Sequence, residues 1–408
     1  MTLDRTIARL GAQGDGVAET ADGQLFVPFA LPGERVRVEP ATDGKHAALL
    51  EVLTPSPERV EPICPHFGVC GGCALQHLKP EAYLAWKRNL VAGALKSRGL
   101  DANVEEVRAE PLASRRRATF GLRADGNGFA FGFHRARSHD LIDIETCPIL
   151  SPRIAERLSG LKAMLTPLLS GRGELRVGIT ETESGLDIVV EGARPKETEL
   201  ARLAHEAGKL GIARITIGEM SVTLVTPAVR FGRALVPIPP GVFLQASQTA
   251  ESVLTALVRE GAQKAKRIAD LFAGLGTFSL VLAEGAAVDV YEANETALAA
   301  LAEAARHTPK LKPIRTHPRD LFRDPLGRQE LATYDAVVFD PPRAGAAAQA
   351  EQLARSKVKR LVAVSCNPGT LARDLRILVD GGYRLTRVVP VDQFLFSGHI
   401  EVVAHLSR

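Results

Sequence analysis

The segment "ADLFAGLGTFSL" (residues 269–280) decides the fold class of this 408-residue chain. Its first residues are typical of a buried strand, Gly274 and Gly276 form a G-x-G turn, and an apolar stretch typical of a helix follows. Glu292 ends the next apolar run, "VDVYEA", where a carboxylate can accept hydrogen bonds from both hydroxyls of a ribose. The segment therefore predicts a nucleotide-type site beside parallel strands.

The same texture continues to the end of the chain. Continuous apolar runs, such as "RIADLFAG", "AAVDVYEA", "YDAVVFDPP" and "RLVAVSC", are separated by helical stretches rich in Ala, Leu and Glu. This alternation is typical of a parallel, doubly wound sheet. We therefore predict an α/β, Rossmann-like domain over residues 241–408, with Asp270 and Asp320 adding polar groups at the same sheet edge.

The preceding part of the chain predicts two further domains. Residues 1–54 contain short alternating runs broken by Gly and Asp, which is typical of a small β-barrel. Residues 55–240 mix strands with helices, beginning with the helical stretch "KPEAYLAWKRNLVAGALKSRGL", and predict an α+β domain.

The bulk composition describes an ordinary globular protein, with 45% hydrophobic and 24% charged residues. The first residues contain no apolar run typical of a signal peptide, and no segment approaches the ~20 apolar residues of a membrane span. We therefore expect a cytoplasmic protein that does not bind a membrane. The net charge is only +4, but arginines are concentrated between residues 114 and 137, and Arg115, Arg116 and Arg117 are predicted to contact phosphates of a nucleic acid.

The glycine turn favours one nucleotide-type ligand over another. Ser279 occupies the third glycine position of the dinucleotide pattern, and the turn offers no basic residue for a pyrophosphate. Both features favour S-adenosylmethionine over NAD. After a later strand, "VVFDPPRAG" places two prolines and Arg343 behind Asp340, where enzymes that methylate amino groups usually carry an aromatic residue. The sequence therefore favours a carbon atom as the methyl acceptor.

Cys366 stands alone at the end of the apolar run "VAVSCNPGTL". Carbon 5 of a pyrimidine is a poor nucleophile until a thiolate adds to carbon 6, and a base must later remove the proton from carbon 5. Cys366 is the candidate thiolate, and Glu401, at the start of the late apolar run in "FSGHIEVVAHL", is the candidate base. The alternative is that Cys366 is a small core residue.

The other four cysteines suggest a metal site, because five cysteines at uneven spacing do not resemble a disulfide framework. Cys64, Cys70 and Cys73 have C-x5-C-x2-C spacing, and Cys147 is followed by proline. Four thiolates suit either zinc or an iron–sulfur cluster, and three clustered cysteines plus a distant Cys-Pro favour a 4Fe–4S cluster.

The segments "DLFAGLGTFSL", "FDPPRAG", "SCNPGTLARDL" and "FSGHIEVV" occur in the order found in bacterial RNA 5-methyluridine methyltransferases, which the chain resembles over essentially its whole length. The first 54 residues resemble a TRAM domain. The ribosomal (23S) branch of the family carries a 4Fe–4S cluster on such cysteines, and the transfer-RNA branch lacks them. Thr277 and Ala273 depart from the Asn and Cys that are common in the family.

The resemblance implies a role for each motif residue. Cys366 is the implied nucleophile and Glu401 the implied base. The residues implied to line the cofactor site are Gln245, Phe272, Thr277, Glu292, Asp320 and Asp340.

The leading prediction is S-adenosylmethionine-dependent methylation of uridine carbon 5 in ribosomal RNA by a monomer, on a loop or single-stranded uridine that is flipped out. Transfer RNA is the alternative substrate. A non-catalytic RNA-binding iron–sulfur protein is the alternative from another class, and it would have no reason to keep both Cys366 and Glu401.

Overall fold

The computed structural model of the chain describes residues 2–21, 23–126, 128–169 and 173–408. The first part forms six short strands: β1 (Leu3–Thr6), β2 (Arg9–Leu10), β3 (Gly16–Thr20), β4 (Gly23–Val27), β5 (Arg35–Pro40) and β6 (Ala47–Thr54). They pair antiparallel in two sheets, ordered β1-β5-β6 and β2-β3-β4, and Val27 and Val36 bring both sheets to one buried core. The antiparallel strands agree with the predicted small β-domain, whereas its closure into a barrel stays a prediction.

The middle of the chain contains a larger mixed sheet. Its elements are α1 (Pro80–Lys96), β7 (Arg117–Asp125), β8 (Gly128–His134), β9 (Leu141–Asp143), α2 (Pro152–Ala155), α3 (Leu158–Leu165), β10 (Glu174–Thr182), β11 (Gly185–Glu191), α4 (Glu197–Leu210), β12 (Ile212–Ile217), β13 (Met220–Thr223), β14 (Ala228–Phe231) and β15 (Ala234–Pro237). Strands β7 to β13 form one sheet in the order β13-β12-β11-β10-β7-β8-β9, with only β11 and β12 parallel. Leu161 and Leu203, from α3 and α4, pack on it, as the α+β pattern predicts.

The last part of the chain alternates strands and helices. The elements are α5 (Gln248–Gly261), β16 (Arg267–Leu271), α6 (Ser279–Leu282), β17 (Ala287–Glu292), α7 (Glu295–His307), β18 (Ile314–Pro318), α8 (Arg328–Leu331), β19 (Ala336–Phe339), α9 (Ala347–Ala354), β20 (Arg360–Ser365), α10 (Pro368–Asp380), β21 (Arg384–Val391) and β22 (Glu401–Ser407).

These strands form one sheet in the order β18-β17-β16-β19-β20-β22-β21. The first five are parallel, and β22 is antiparallel to both of its neighbours. The order reverses between β16 and β19, and at such a point the loops after the two strands diverge and leave a crevice for a ligand. The predicted doubly wound sheet is thus confirmed, and its crevice lies where the glycine turn and the Asp340 turn meet.

Two segments within residues 55–240 pack against this last sheet. Helix α1 buries Val91 and Leu95 in the core beneath α10 and β21, and the following segment pairs with β21 through a bridge from Val104 to Val388. The β14–β15 hairpin buries Phe231 in the core beside α6 and α7. Part of the cover of the last sheet therefore comes from α1 and from the β14–β15 hairpin, which lie outside the predicted C-terminal domain.

Within the described ranges, none of the helices has the length and apolar character needed to cross a membrane.

Candidate active site

The glycine turn after β16 opens one side of the crevice. Gly274 and Gly276 have φ angles of +55° and +85°, which side chains of L-residues rarely adopt. A Cβ atom on Gly276 would lie 2.3 Å from Cδ1 of Leu301 in α7, so this glycine allows close packing. A Cβ atom on Gly274 would meet nothing within 4 Å, which leaves the backbone there open to a ligand.

Ser279, at the third glycine position, has a specific task beneath this turn. Its hydroxyl donates a hydrogen bond of 2.5 Å to Oδ2 of Asp270, which is completely buried. Among the residues that the structure describes, Oδ1 of Asp270 has no partner. Burial raises the pKa of Asp270 to about 7, so the carboxyl group sits between its neutral and charged forms under the turn.

Glu292 is held rigidly at the end of β17. Its Oε2 accepts a hydrogen bond from the N–H of Gly274 at 2.9 Å, and its Oε1 accepts one from the N–H of Asn294 at 2.7 Å. A carboxylate has about four acceptor positions, so both oxygens can still accept hydroxyl groups. Its free acceptor positions are compatible with a ribose, whose binding here stays a prediction.

Phe272, directly after β16, and Phe322, after β18, form an apolar part of the crevice wall. The rings of Phe272 and Phe322 have centroids 5.4 Å apart and are tilted at 54°. Phe322 is half exposed, and its N–H donates to Oδ1 of Asp320 at 3.0 Å. Two aromatic faces beside a carboxylate suit a flat base that carries an amino group.

All eight residues predicted for the catalytic and cofactor sites line one cavity of about 560 Å³. They are Gln245, Phe272, Thr277, Glu292, Asp320, Asp340, Cys366 and Glu401. Phe243, Pro341, Pro342 and Arg343 are further parts of its wall. The structure thus brings together residues from seven separate segments of the sequence.

Cys366 follows β20 directly and precedes α10. The side chain of Asn367 caps this helix by accepting from the N–H groups of Gly369 and Thr370. Asn367 Nδ2 and the Thr370 hydroxyl both donate to the carbonyl oxygen of Arg343, at 3.3 and 3.2 Å. The turn that carries the thiol is therefore tied to the turn that carries Asp340.

The thiol and two carboxyl groups share a small enclosed space. Burial, then the charge of Glu401, raises the pKa of Asp340, and burial raises the pKa of Glu401 to about 7. Burial and then both carboxylates raise the pKa of Cys366 to about 11, while Arg343 acts in the opposite direction. A negative charge on any one of these groups disfavours a charge on the others, so burial and mutual repulsion both favour the neutral forms of the two carboxyl groups.

Gln393 is a buried residue of this site that the sequence analysis missed. Its Nε2 donates to Oε1 of Glu401 and to Oε1 of Gln245, both at 2.8 Å, and its Oε1 accepts from the N–H of Ala246 at 3.0 Å. One local signal was available: an amide directly follows the apolar run "RVVPVD", a few residues before Glu401.

The β21–β22 loop (residues 392–400), which carries Gln393, is anchored from α1. Lys87 is fully buried and donates to Oδ1 of Asp392 at 2.7 Å and to the carbonyl oxygens of Phe394 and His399. The hydroxyl of Tyr83 donates to Oδ2 of Asp392 at 2.7 Å. All three protons of one lysine are thus used to shape this loop.

The prediction that three consecutive arginines contact phosphates is wrong for Arg116. Its guanidinium is buried, donates to Glu251 at 2.5 Å and also donates to the carbonyl oxygen of Gln245. Arg115 and Arg117 are half-buried and lie over the rings of Phe394 and Phe243. Arg116 directly precedes β7, and its side chain is directed inward to the distant Glu251, which offsets its charge.

The four remaining cysteines surround a second cavity, of about 310 Å³. Cys64, Cys70, Cys73 and Cys147 are all free and partly exposed, and Arg115 is in the same wall. Burial, with repulsion from neighbouring thiols, raises the pKa of Cys70 and Cys147, and raises that of Cys73 to about 12. Within the described part of the chain, no group of three or more His, Cys, Asp or Glu residues is arranged to hold a metal ion.

Comparison with known proteins places the chain among RNA-modifying enzymes. The family model described as tRNA (Uracil-5-)-methyltransferase matches residues 316–408. A protein of Brucella suis biovar 1 (strain 1330), described as an uncharacterized RNA methyltransferase, is 50% identical to this chain. The match covers 99% of this chain and 97% of the Brucella protein. The 23S rRNA (uracil(1939)-C(5))-methyltransferase RlmD of Chromohalobacter salexigens is 36% identical to this chain, and the match covers 99% of this chain and 89% of that enzyme.

A solved structure supports the fold over its whole length. The crystal structure of the Pyrococcus abyssi tRNA (uracil-54, C5)-methyltransferase, in complex with S-adenosyl-L-homocysteine, has a TM-score of 0.77 to this chain. It covers 99% of each chain, at 24% sequence identity. The Rossmann-like methyltransferase fold predicted from the glycine turn is thus confirmed.

Proposed function

Because the chain belongs to the RNA (uracil-5-)-methyltransferase family, we propose that it methylates carbon 5 of a uridine in ribosomal RNA through a covalent bond from Cys366. One observation carries the chemistry: Cys366 and Glu401 line the same cavity as the glycine turn and Glu292. The 36% identity to a 23S rRNA enzyme over nearly the whole chain supports the ribosomal substrate.

The residues of the crevice fit S-adenosylmethionine, which supplies the methyl group when bound. Glu292 would accept the ribose hydroxyls, and Asp320 with Phe272 and Phe322 would hold the base. The open backbone at Gly274, which lines the cavity, favours a ligand above the turn. Gln245, Thr277 and Asp340 would complete the site toward the thiol.

The protein residues act in a fixed order. The Cys366 thiolate adds to carbon 6 of the uracil, which makes carbon 5 nucleophilic enough to accept a methyl group. Glu401 then takes the proton from carbon 5, and the bond between carbon 6 and the sulfur breaks to release the RNA. Arg343, which opposes the rise in the Cys366 pKa, stabilises the thiolate at the start and at the end.

The target uridine must leave its stack before the thiol can reach carbon 6. We propose that the base is flipped into the cavity beside the Asp340–Arg343 turn, whose two prolines make a stiff wall. A single-stranded loop is easier to open than a duplex and is the expected substrate.

We propose that the four-cysteine cavity holds a 4Fe–4S cluster with a structural role. The protein ligands of a 4Fe–4S cluster surround the volume that the cluster fills, and these four cysteines line one cavity. The Arg115 guanidinium in the wall would offset the charge of the thiolates. Directly after Cys73, the N–H groups of Ala74 and Leu75 donate to the carbonyl oxygen of Phe396, so the cluster would brace the β21–β22 loop. Protein purified without oxygen should contain iron and sulfide. If such protein contains neither iron nor sulfide, the cluster is refuted.

Mass spectrometry of RNA from a deletion strain tests the substrate. Loss of one or more 5-methyluridines from ribosomal RNA, restored by the wild-type chain but not by Cys366→Ala, is the expected result. Restoration by Cys366→Ala would refute the covalent mechanism and favour a protein that only binds RNA.

Transfer RNA is the second candidate, because the matching family model and the solved structure both carry transfer-RNA names. Purified enzyme with a labelled methyl donor should be offered ribosomal fragments and transfer RNA at equal concentrations. Preferential labelling of transfer RNA, with loss of its 5-methyluridine in the deletion strain, would replace the ribosomal assignment.

A further inference from the structure

Gln393 connects two residues that line the active-site cavity. It is 3% exposed, and its single amide group bonds both Glu401 and Gln245, which come from β22 and from the segment before α5. Its amide orientation follows from its partners. The N–H of Ala246 can only donate, and a Glu401 carboxylate can only accept, so Oε1 must face Ala246 and Nε2 must face Glu401.

The hydrogen bond to Glu401 has two consequences for a base. A donor beside a buried carboxylate stabilises the charged form, which is the form that accepts a proton. It also ties Oε1 to the loop, while no hydrogen bond from the described residues reaches Oε2, so Oε2 is the less constrained oxygen for the carbon 5 proton. Without this donor, burial alone would act on Glu401 and favour its neutral form, which cannot accept the proton.

The second hydrogen bond acts on the cofactor side. Gln245 Oε1 accepts from Gln393, so the NH₂ group of Gln245 is the part left for a ligand in the cavity. One buried side chain thus sets the direction of the base and of a cofactor-side amide together. Asp340 and Arg343 line the same cavity, but neither of them donates a hydrogen bond to both Glu401 and Gln245 as Gln393 does.

We propose that Gln393 is a positioning residue for this reaction, which favours the charged form of Glu401 and directs it at carbon 5 while it orients Gln245 toward the methyl donor. This inference rests on the proposed function, in which Glu401 takes the carbon 5 proton. Gln393 itself is buried behind Gln245 and Glu401 and is not part of the cavity wall. Its contribution is confined to proton removal and, through Gln245, to the binding of S-adenosylmethionine.

The test is a single-turnover experiment with labelled S-adenosylmethionine and an RNA substrate, quenched in denaturant over time and over a range of pH. Gels then separate the methylated RNA that is still bound to the enzyme from methylated RNA that has been released. The variants are Gln393→Met, which keeps the size and removes the donor, and Gln393→Glu, which adds a carboxylate beside Glu401. The matched control is Gln349→Met, because Gln349 is an equally buried glutamine that bonds only the backbone of Leu326.

For Gln393→Met, we expect the covalent adduct to form and to carry the methyl group, but to release RNA roughly ten- to hundredfold more slowly, as for the loss of a hydrogen bond to a charged group. The pH midpoint of release should move upward in Gln393→Met and further upward in Gln393→Glu. Binding of S-adenosylhomocysteine, measured by calorimetry, should weaken in both variants. Gln349→Met should keep the wild-type midpoint even where it lowers thermal stability.

The outcomes separate this inference from the proposed function. If wild-type enzyme forms no adduct with the RNA or with its 5-fluorouridine analogue, which cannot lose a proton at carbon 5, the proposed function fails and the role of Gln393 fails with it. If the wild type forms adducts but both Gln393 variants release RNA with the midpoint of Gln349→Met, only the positioning role is refuted. A uniform loss of every step without a shift in midpoint would also refute it, since that is what a purely structural residue produces.

Discussion

Lys87 of α1 and Asp392 of the β21–β22 loop form an ion pair at 2.7 Å in which neither side chain is exposed to solvent. The pair joins positions 305 residues apart in the sequence. A buried charge that loses its partner is strongly destabilising, whereas removing both charges is much less so. The pair therefore fixes the loop that carries Gln393 and leads into Glu401.

Replacing Lys87 by methionine should lower the free energy of unfolding by about 3–5 kcal/mol, because Asp392 would remain buried without its cation. Urea denaturation followed by circular dichroism measures this change. Lys96→Met, on the exposed surface of the same helix, should stay within about 0.5 kcal/mol of the wild type. Adding Asp392→Leu to Lys87→Met should restore part of the stability, and a further loss in the double variant would contradict this account.

Cys366→Ala and Glu401→Gln should stop the reaction at different stages. Cys366→Ala lacks the nucleophile, so it should give neither methylated RNA nor a covalent adduct. Glu401→Gln keeps the thiol but cannot take the carbon 5 proton, so it should accumulate an adduct that survives denaturing gels and carries the labelled methyl group. Normal turnover by Glu401→Gln, or an adduct with Cys366→Ala, would show that the two roles are assigned to the wrong residues.

The methylation rate should rise with pH across the neutral range. Burial raises the pKa of Glu401 to about 7, so its charged, proton-accepting form increases as the pH rises through that value. Burial also raises the pKa of Cys366 to about 11, so the thiolate fraction continues to increase after Glu401 has become charged. Initial rates at saturating RNA, between about pH 6 and pH 9, measure the profile. A rate that falls with pH over this interval would contradict the two assignments.

Arg116 and Arg135 should differ in what they contribute. Arg135 is exposed, so Arg135→Met should weaken RNA binding and reduce the slope of log affinity against log salt by about one, with stability unchanged. Arg116→Met should leave that slope unchanged and lower the thermal stability, because Glu251 would stay buried without its partner. RNA titrations at several salt concentrations and thermal melts distinguish them. The reverse result would return Arg116 to the RNA interface.

The candidate site could be assembled from the sequence because parallel strands end at one edge of a sheet. Glu292, Asp340 and Cys366 each follow an apolar run, and the order of the sheet then brings them to one cavity. Local patterns therefore carried most of the information about this site. The helix predicted around "KPEAYLAWKRNLV" and the strands predicted in the last domain are present in the structure, because each depends on the apolar pattern of its own segment.

The contacts that support the site carry no such local signal. Lys87 looks like any lysine on an amphipathic helix, and its burial depends on a loop at the other end of the chain. Arg116 belongs to a run of three arginines, and only the position of Glu251 reveals that it points inward. Burial of a charge is decided by its distant partner, which periodicity along one strand or helix cannot show.

The bridge from Val104 to Val388 also determines how the protein can be divided. A fragment that begins at residue 241 would lack α1 and its following segment, so the apolar side of α10 would meet water. During synthesis, Val91 and Leu95 leave the ribosome long before α10 and β21, on which they pack, and they stay unburied until those elements have been made. A fragment that covers the last sheet as the whole chain does would therefore combine residues 80–110 and the β14–β15 hairpin with the C-terminal domain.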